Sequence, residues 1–107
     1  MEAAIEALGD ATRRRIVELL AETDLTAGDI ASSFGISRPG VSRHLRVLRE
    51  AGLVESRAEA QRRVYRLCPE PLDEIDRWIA ERRRFWSQRL DALDTEIRRG
   101  RRDEEDR

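Results

Sequence analysis

The sequence contains no lysine and no asparagine, so all 21 of its basic side chains are arginines. It also has a single cysteine, Cys68, and a single histidine, His44. One cysteine excludes an internal disulfide and any metal site built from several cysteines of one chain. No apolar run approaches the ~18 residues that span a membrane, and residues 1–8 carry acids but no basic residue, unlike a signal peptide. We therefore expect a cytoplasmic protein without a cofactor, a bound metal or a membrane partner.

Basic and acidic side chains nearly balance over the 107 residues, with a formal net charge of −1, but they are segregated along the chain. Residues 38–66 hold eight arginines and three acids, whereas the segments on both sides of them are acidic. The planar guanidinium of arginine suits phosphates and guanine edges. A basic segment between acidic ones indicates a nucleic-acid surface, although a solvated face of mixed charge is the simpler alternative.

The periodicity of apolar residues predicts a mainly α-helical fold with one small β-hairpin. Helices are expected over residues 1–8, 11–22, 27–33, 38–51 and 72–99, and the two strands over residues 53–57 and 62–67. Asp10, Thr26 and Ser37 are suitable N-caps, and Gly35 and Gly52 suit a turn and a helix end. We expect one domain over residues 1–99, followed by a charged, disordered tail over residues 100–107.

The two short helices around Gly35, of which the second is rich in arginine, predict a helix-turn-helix. Ile30, Phe34, Ile36, Val41 and Leu45 would form the small core that fixes their crossing. The hairpin that follows would then be the wing of a winged helix. The predicted DNA-binding residues lie at the start of the recognition helix 38–51 and on the wing: Ser37, Arg38, Pro39, Gly40, Ser42, Arg43, Arg46, Arg57, Arg62 and Arg63.

The stretches from Gly9 to Leu20 and from Gly35 to Val54 resemble ArsR/SmtB-type bacterial transcriptional repressors. The resemblance covers about residues 5–97 and is most specific over residues 41–54. It implies a homodimeric winged helix that represses promoters, often its own. A two-fold dimer would place its two recognition helices about one turn of DNA apart, which predicts a palindromic operator in double-stranded DNA. By position in the motif, it places Arg38, Pro39, Ser42 and Arg43 where the family contacts bases and phosphates.

The sequence departs from the metal-sensing members of that family. Some of these carry a Cys-x-Cys site before the turn, and others bind zinc through Asp and His on the last helix. Here residues 25–29 contain no thiol and residues 72–99 contain no histidine. Carboxylates without imidazole or thiolate make a poor zinc site. The segments 62–67 and 84–93 resemble a metal-independent branch of the family, which implies that no metal is bound.

Apolar residues recur every three or four positions along the last predicted helix, which would be about 42 Å long. A small domain cannot cover such a stripe alone, so we expect a homodimer through the last helix and the first helix. A monomer with a frayed helix end is the alternative. The predicted dimer interface consists of apolar residues from both helices: Ile5, Leu8, Ile75, Trp78, Ile79, Phe85, Trp86, Leu90 and Leu93.

Three features remain open at this point. His44 is either a packing and hydrogen-bonding side chain or a phosphate contact. Cys68 is either a small, half-buried thiol or, across a dimer, a redox sensor. The run Arg13-Arg14-Arg15 either pairs with acids near residues 73–76 or touches the DNA backbone.

An enzyme is not expected, because the chain has no nucleophile and base pair, phosphate loop or metal spacing. The sequence therefore predicts a dimeric, DNA-binding transcriptional regulator. A winged-helix adaptor that binds proteins, without specific DNA binding, is the alternative.

Overall fold

The computed structural model describes residues 1–105, and within them it has five helices and three strands. Residues Met1–Ile75 form one compact unit, and the residues from Asp76 onward form a second. No helix of the described residues is both long enough and apolar enough to cross a bilayer. The elements, in chain order, are α1 (Glu2–Ala7), α2 (Ala11–Glu22), β1 (Leu25–Thr26), α3 (Ala27–Phe34), α4 (Arg38–Glu50), β2 (Val54–Glu59), β3 (Arg62–Leu67) and α5 (Glu70–Glu105).

The helix starts confirm the three predicted caps. The Asp10 carboxylate accepts a hydrogen bond from the backbone N–H of Arg13, and the Ser37 hydroxyl accepts one from the backbone of Gly40. Thr26 and Asp29 form a reciprocal capping box, each side chain accepting from the other's backbone N–H at 3.1 Å. These side chains satisfy N–H groups that would otherwise lack partners, and they fix the first turns of α2, α3 and α4.

The core of the first unit lies between the helices and the sheet. Its fully buried large side chains come from α2, α3, α4 and the segment that enters the sheet: Ile16, Ile30, Val41, Leu45, Leu48 and Leu53. Phe34 and Ile36, on either side of the turn, are half-buried and pack against it. Gly35 between them has a φ of 65°, a left-handed conformation that glycine adopts without strain. The predicted core of the helix-turn-helix is thus present.

The sheet has three antiparallel strands in the order β1-β3-β2, so the prediction of a lone hairpin was incomplete. Leu25 pairs with Tyr65 and Thr26 pairs with Val64. A strand of two residues has no periodicity of its own and exists only because β3 lies beside it. For this reason β1 was not detectable from local sequence.

The wing is longer and its loop tighter than predicted. β2 continues to Glu59, which pairs with Arg62, and this leaves Ala60 and Gln61 as a two-residue loop. Ala60 takes a φ of 56°. Tight hairpins require positive φ in the loop, and here alanine supplies it without the usual glycine or asparagine.

Helix α5 begins at Glu70 and continues to Glu105, whereas the sequence pattern predicts residues 72–99. Its first turn carries Glu70 and Asp73, which favour a helix start. Residues 100–105 are helical in the structure, which differs from the disordered tail expected there. A single glycine costs a helix only about 1 kcal/mol, and Gly100 lies among good helix formers. The rest of that tail, residues 106–107, lies outside the described residues, and the domain boundary at residue 99 stays a prediction.

Candidate nucleic-acid interface

The exposed side of α4 follows from which of its residues are buried. Val41, Leu45 and Leu48 face the core, which leaves the other side of the helix to solvent. Pro39 lies in the first turn, where its fixed φ and missing N–H cost nothing. The exposed residues at the start and middle of α4 include most of the predicted recognition residues: Arg38, Pro39, Ser42, Arg43 and Arg46.

A groove lies between the start of α4, the start of α3 and the wing. Arg38 and Ser42 line it from α4, and Thr26, Ala27 and Gly28 line it from the start of α3. The wing lines it with the rest: Gln61, Arg62, Arg63 and Tyr65. Among the described residues, three arginines and no acid line this groove, which we call the helix–wing groove. It has the charge and the hydroxyl donors that a phosphate needs.

The guanidinium of Arg38 lies against the first turn of α3. A Cβ atom placed on Gly28 would meet Nη2 of Arg38 at 2.7 Å, Cζ at 3.3 Å and Nε at 3.4 Å. The side chain therefore lies across the backbone of Gly28. A larger residue at position 28 would occupy the same space.

The two faces of the wing differ in how their arginines are paired. Arg57 donates to Asp24 at 2.9 Å and to Glu59 at 3.4 Å, and Arg66 forms an ion pair with Glu55. The hydrogen bond to Asp24 raises the pKa of Arg57 above its ordinary value. Strand alternation places these pairs on the face opposite Arg63.

Among the predicted wing residues, Arg62 and Arg63 line the groove together with α4. Strand alternation nevertheless sets Arg62 on the same face as Arg57, and only Arg63 on the opposite one. Arg57 is held by two carboxylates. Arg63 also donates to Ser56 Oγ at 3.1 Å, which orients its guanidinium on the groove face. The contribution of all three residues to DNA binding stays a prediction.

Two predicted contact residues have clear local roles. Ser37 caps α4, and an added Cβ on Gly40 would come within 3.1 Å of Ile36 Cγ2 and 3.2 Å of Ser37 Oγ. Both residues set how α4 begins. Arg46 forms an exposed pair with Glu50, with Nε 3.5 Å from Oε1, and such a pair is easily exchanged for another anion.

The arginine run in α2 has partners that the sequence did not suggest. Arg13 donates from Nε to the carbonyl of Ala7 at 2.6 Å, and Arg14 donates from Nη1 to the carbonyl of Leu8 at 2.7 Å. Both carbonyls lie at the C-terminal end of α1, where cations are favourable. Arg15 lies over the ring of Phe34, with its Cζ 4.9 Å from the centroid.

His44 lies half-buried on α4, with Nδ1 3.5 Å from Nη1 of Arg13. A guanidinium can only donate, so Nδ1 is the acceptor of this hydrogen bond. This geometry agrees with the packing and hydrogen-bonding interpretation of His44.

Sequence reasoning did not identify Gly28, Gln61 or Tyr65 as part of the groove. Tyr65 could have been found, because side chains two apart on a strand share a face and Arg63 was already a candidate. Gly28 could not have been found from the sequence, because it lines the groove beside the side chain of Arg38, ten positions away, which only the fold brings close.

A second exposed surface lies on α5. Its apolar residues are between 39 and 61% exposed, far more than a core stripe would be. These residues, which include most of the predicted dimer interface, are Trp78, Ile79, Phe85, Trp86, Leu90, Leu93 and Ile97. In the first unit Ile5 is 43% exposed, whereas Leu8 and Ile75 are half-buried against the core.

Cys68, the one thiol, is half-buried, and burial raises its pKa above the ordinary value. Such a thiol is poorly reactive. Within residues 1–105, no group of three or more His, Cys, Asp or Glu side chains is arranged to hold a metal ion.

A family model described as "Bacterial regulatory protein, arsR family" matches residues 10–56, which span α2 to the start of β2. The chain is similar to the HTH-type transcriptional regulator Rv2034 of Mycobacterium tuberculosis, with 45% identity over 87 residues that cover 81% of this chain and 78% of the relative. It is also similar to the transcriptional repressor SdpR of Bacillus subtilis, with 38% identity over 74% of this chain and 88% of the relative.

Solved structures share the fold. An ArsR-like transcriptional regulator from Rhodococcus sp. RHA1 superposes with a TM-score of 0.76 and 30% identity over 86% of this chain and 87% of that one. A homodimeric winged helix-turn-helix DNA-binding domain from Mycobacterium bovis gives a TM-score of 0.64 and 29% identity over 74% of this chain and 73% of that one.

Proposed function

This chain belongs to the ArsR family of bacterial regulatory proteins and is a DNA-binding transcriptional regulator, and from that premise we propose that it is a homodimeric repressor of the metal-independent branch. It reads a palindromic operator in double-stranded DNA, and its own promoter is the first candidate target. Because bacterial DNA lies in the cytoplasm, we place its action there.

The helix–wing groove is the structural feature that best supports the proposed mode of DNA binding. It joins the exposed start of α4 to two wing arginines in one electropositive surface. A helix of this kind enters the major groove with its N-terminal residues against the bases. In our proposal Pro39 and Arg43 face the bases, and Ser42, Arg62 and Arg63 bind the neighbouring backbone.

The exposed stripe on α5 supports the homodimer, a state that is typical of the family. Contiguous apolar surface of this size is rare on a monomer, and the described residues of this chain do not cover it. In our proposal the stripe packs against a second copy, and Ile5 of α1 also contributes to the dimer interface. A two-fold dimer would present two recognition helices to half-sites about 34 Å apart.

The side chains that could act as metal ligands support the assignment to the metal-independent branch. The only imidazole has Nδ1 occupied by Arg13, and the only thiol is half-buried with a raised pKa. The carboxylates that remain favour hard cations and not the thiophilic or borderline ions that thiolates and imidazoles bind.

DNA binding measured by fluorescence anisotropy tests this proposal directly. The labelled duplex would carry the region upstream of the gene, and a random duplex of equal length would be the control, both titrated between about 50 and 200 mM salt. We expect tight, salt-dependent binding with a clear preference for the upstream duplex. Equal, weak binding to both would contradict autoregulation, and if genome-wide selection also recovered no site, it would favour the protein-binding adaptor.

A further inference from the structure

We propose that the helix–wing groove seats one phosphate of the DNA backbone and that Gly28 is a positioning residue for this seat, because it lets Arg38 lie across α3. This inference rests on the proposed DNA-binding mode and assigns a role within it. It also separates Arg38 from Arg43, since it gives Arg38 a backbone contact and not a base contact.

The space beside Gly28 is occupied by the side chain of Arg38. Ordinary contacts of a Cβ atom fall at 3.4–4 Å, and the Nη2 atom of Arg38 would lie 2.7 Å from a Cβ at this position. Any other residue would therefore push the guanidinium away. The atom that must move is the end of a flexible side chain, so the fold would tolerate the change although the groove would not.

The conformation of Gly28 gives no competing reason for glycine. Its φ is not among the positive values, which within the described residues belong to Gly35, Gly52 and Ala60. Position 28 is an ordinary residue of the first turn of α3. Alanine has a higher helix propensity than glycine and would favour the helix at this position. The backbone conformation therefore does not require glycine, whereas the position of the Arg38 guanidinium does.

The occupant follows from the charge and geometry of the lining. Arg38, Arg62 and Arg63 line the same groove, together with the hydroxyl-bearing residues Ser42 and Tyr65. Convergent guanidinium and hydroxyl donors without an acid among the lining residues suit an oxyanion. On a surface that binds DNA, that oxyanion is a backbone phosphate, which is read without regard to sequence.

The test uses a labelled random-sequence duplex of about 30 base pairs, roughly three helical turns, because a phosphate contact does not require the operator. We expect Gly28→Ala to weaken binding about three- to tenfold and to flatten the salt dependence, whose slope should fall by about one. The Tm should be unchanged or higher. Gly100→Ala is the matched control, since an added Cβ there meets nothing within 4 Å, and it should leave DNA binding unchanged.

A double-mutant cycle with Arg38→Ala separates this inference from the proposed function. If Gly28 acts through Arg38, then Gly28→Ala should have no further effect once Arg38 is alanine. If Arg38→Ala weakens binding but Gly28→Ala does not, the positioning role of Gly28 is overturned. If Gly28→Ala weakens binding equally in both backgrounds, it acts by another route and the inference fails. If Arg38→Ala itself has no effect on either the random or the upstream duplex, the proposed contact of Arg38 with DNA fails.

Discussion

The guanidinium of Arg13 lies within hydrogen-bonding distance of His44, and Arg13 thereby helps to connect three helices of the first unit. From α2, its guanidinium reaches Nδ1 of His44 on the recognition helix at 3.5 Å and the carbonyl of Ala7 at the end of α1 at 2.6 Å. The position of α1 is therefore tied to that of the helix proposed to read DNA. A positively charged residue in the first turn of a helix is usually slightly unfavourable, and here the polar partners of Arg13 compensate.

We expect Arg13→Ala to lower the free energy of unfolding by about 1–2 kcal/mol, because a half-buried carbonyl and an imidazole nitrogen lose their donor. Arg14→Ala is the matched control, since Arg14 also binds a carbonyl of α1 but is exposed. Urea denaturation followed by circular dichroism would measure both. Equal losses in the two variants would contradict the special role of Arg13.

The capping box predicts how stability depends on pH. Hydrogen bonds from the backbone and the hydroxyl of Thr26 hold the pKa of Asp29 below its ordinary value of 3.8. Because this folded-state pKa is depressed, the carboxylate stabilises the fold above pH 3.8 and loses that effect as the pH falls through the folded pKa. Wild type should thus exceed Asp29→Asn in Tm at neutral pH, and the gap should narrow in acid. A gap that stays constant from pH 7 into acid would refute this account.

The wing loop offers a substitution that should stabilise the protein. Ala60 holds a φ of 56°, which is costly for any residue with a Cβ. We expect Ala60→Gly to raise the free energy of unfolding by about 0.5–1 kcal/mol. Ala58→Gly, within β2, should instead lower it by a similar amount. Thermal unfolding of both variants measures these changes, and the two changes in the free energy of unfolding must have opposite signs.

Arg43 and Arg62 should differ in the kind of DNA binding that they support. Arg43→Ala should cost about 1–3 kcal/mol of binding to the specific duplex and much less with random DNA, as expected for a base contact. Arg62→Ala should weaken both duplexes alike and flatten the salt dependence, as expected for a phosphate contact. Anisotropy titrations at several salt concentrations measure both quantities. If the affinity for the specific duplex were unchanged after Arg43→Ala, the proposal that α4 recognises bases through Arg43 would be contradicted.

The apolar stripe of α5 predicts the behaviour of a charged double variant. Replacing Trp86 and Leu90 with aspartate places two charges where a partner helix would pack, so we expect a monomer that binds DNA poorly. Gln88→Asp with Thr95→Asp adds the same charge at helix positions away from the stripe and should leave the dimer intact. Light scattering after size exclusion gives the mass of each. A dimer that persists in the first variant would reject this interface.

The parts of the fold that local sequence decides were predicted well. α2 runs from Ala11 to Glu22 as expected, because its cap and its apolar face both lie within it. β1 was missed because its pairing with β3 spans about forty residues of chain. The same distinction holds for the side chains, since Asp24 is more than thirty positions from its partner Arg57 and His44 is more than thirty positions from its partner Arg13.

The candidate site follows this pattern. The arginines at the start of α4 and on the wing could be identified from residue type and motif. Which of them line the groove and which form ion pairs with carboxylates could not be predicted. Strand alternation puts Arg57 and Arg63 on opposite faces, and only the fold brings Asp24 to one of them. Gly28 had no local signal, because its role depends on the path taken by a side chain of another helix.

The unequal faces of the wing also bear on how the protein first meets DNA. On one face the charges of Arg57 and Arg66 are neutralised at close range by Asp24, Glu55 and Glu59, so a distant polyanion experiences little attraction from it. On the other face Arg63 is exposed and has no carboxylate partner among the ion pairs of the described residues. Collisions in the wrong orientation therefore gain no electrostatic help, and collisions in the right one do. In the proposed binding mode these carboxylates lie away from the DNA and still affect the diffusional encounter, and their removal would speed unproductive encounters more than productive ones.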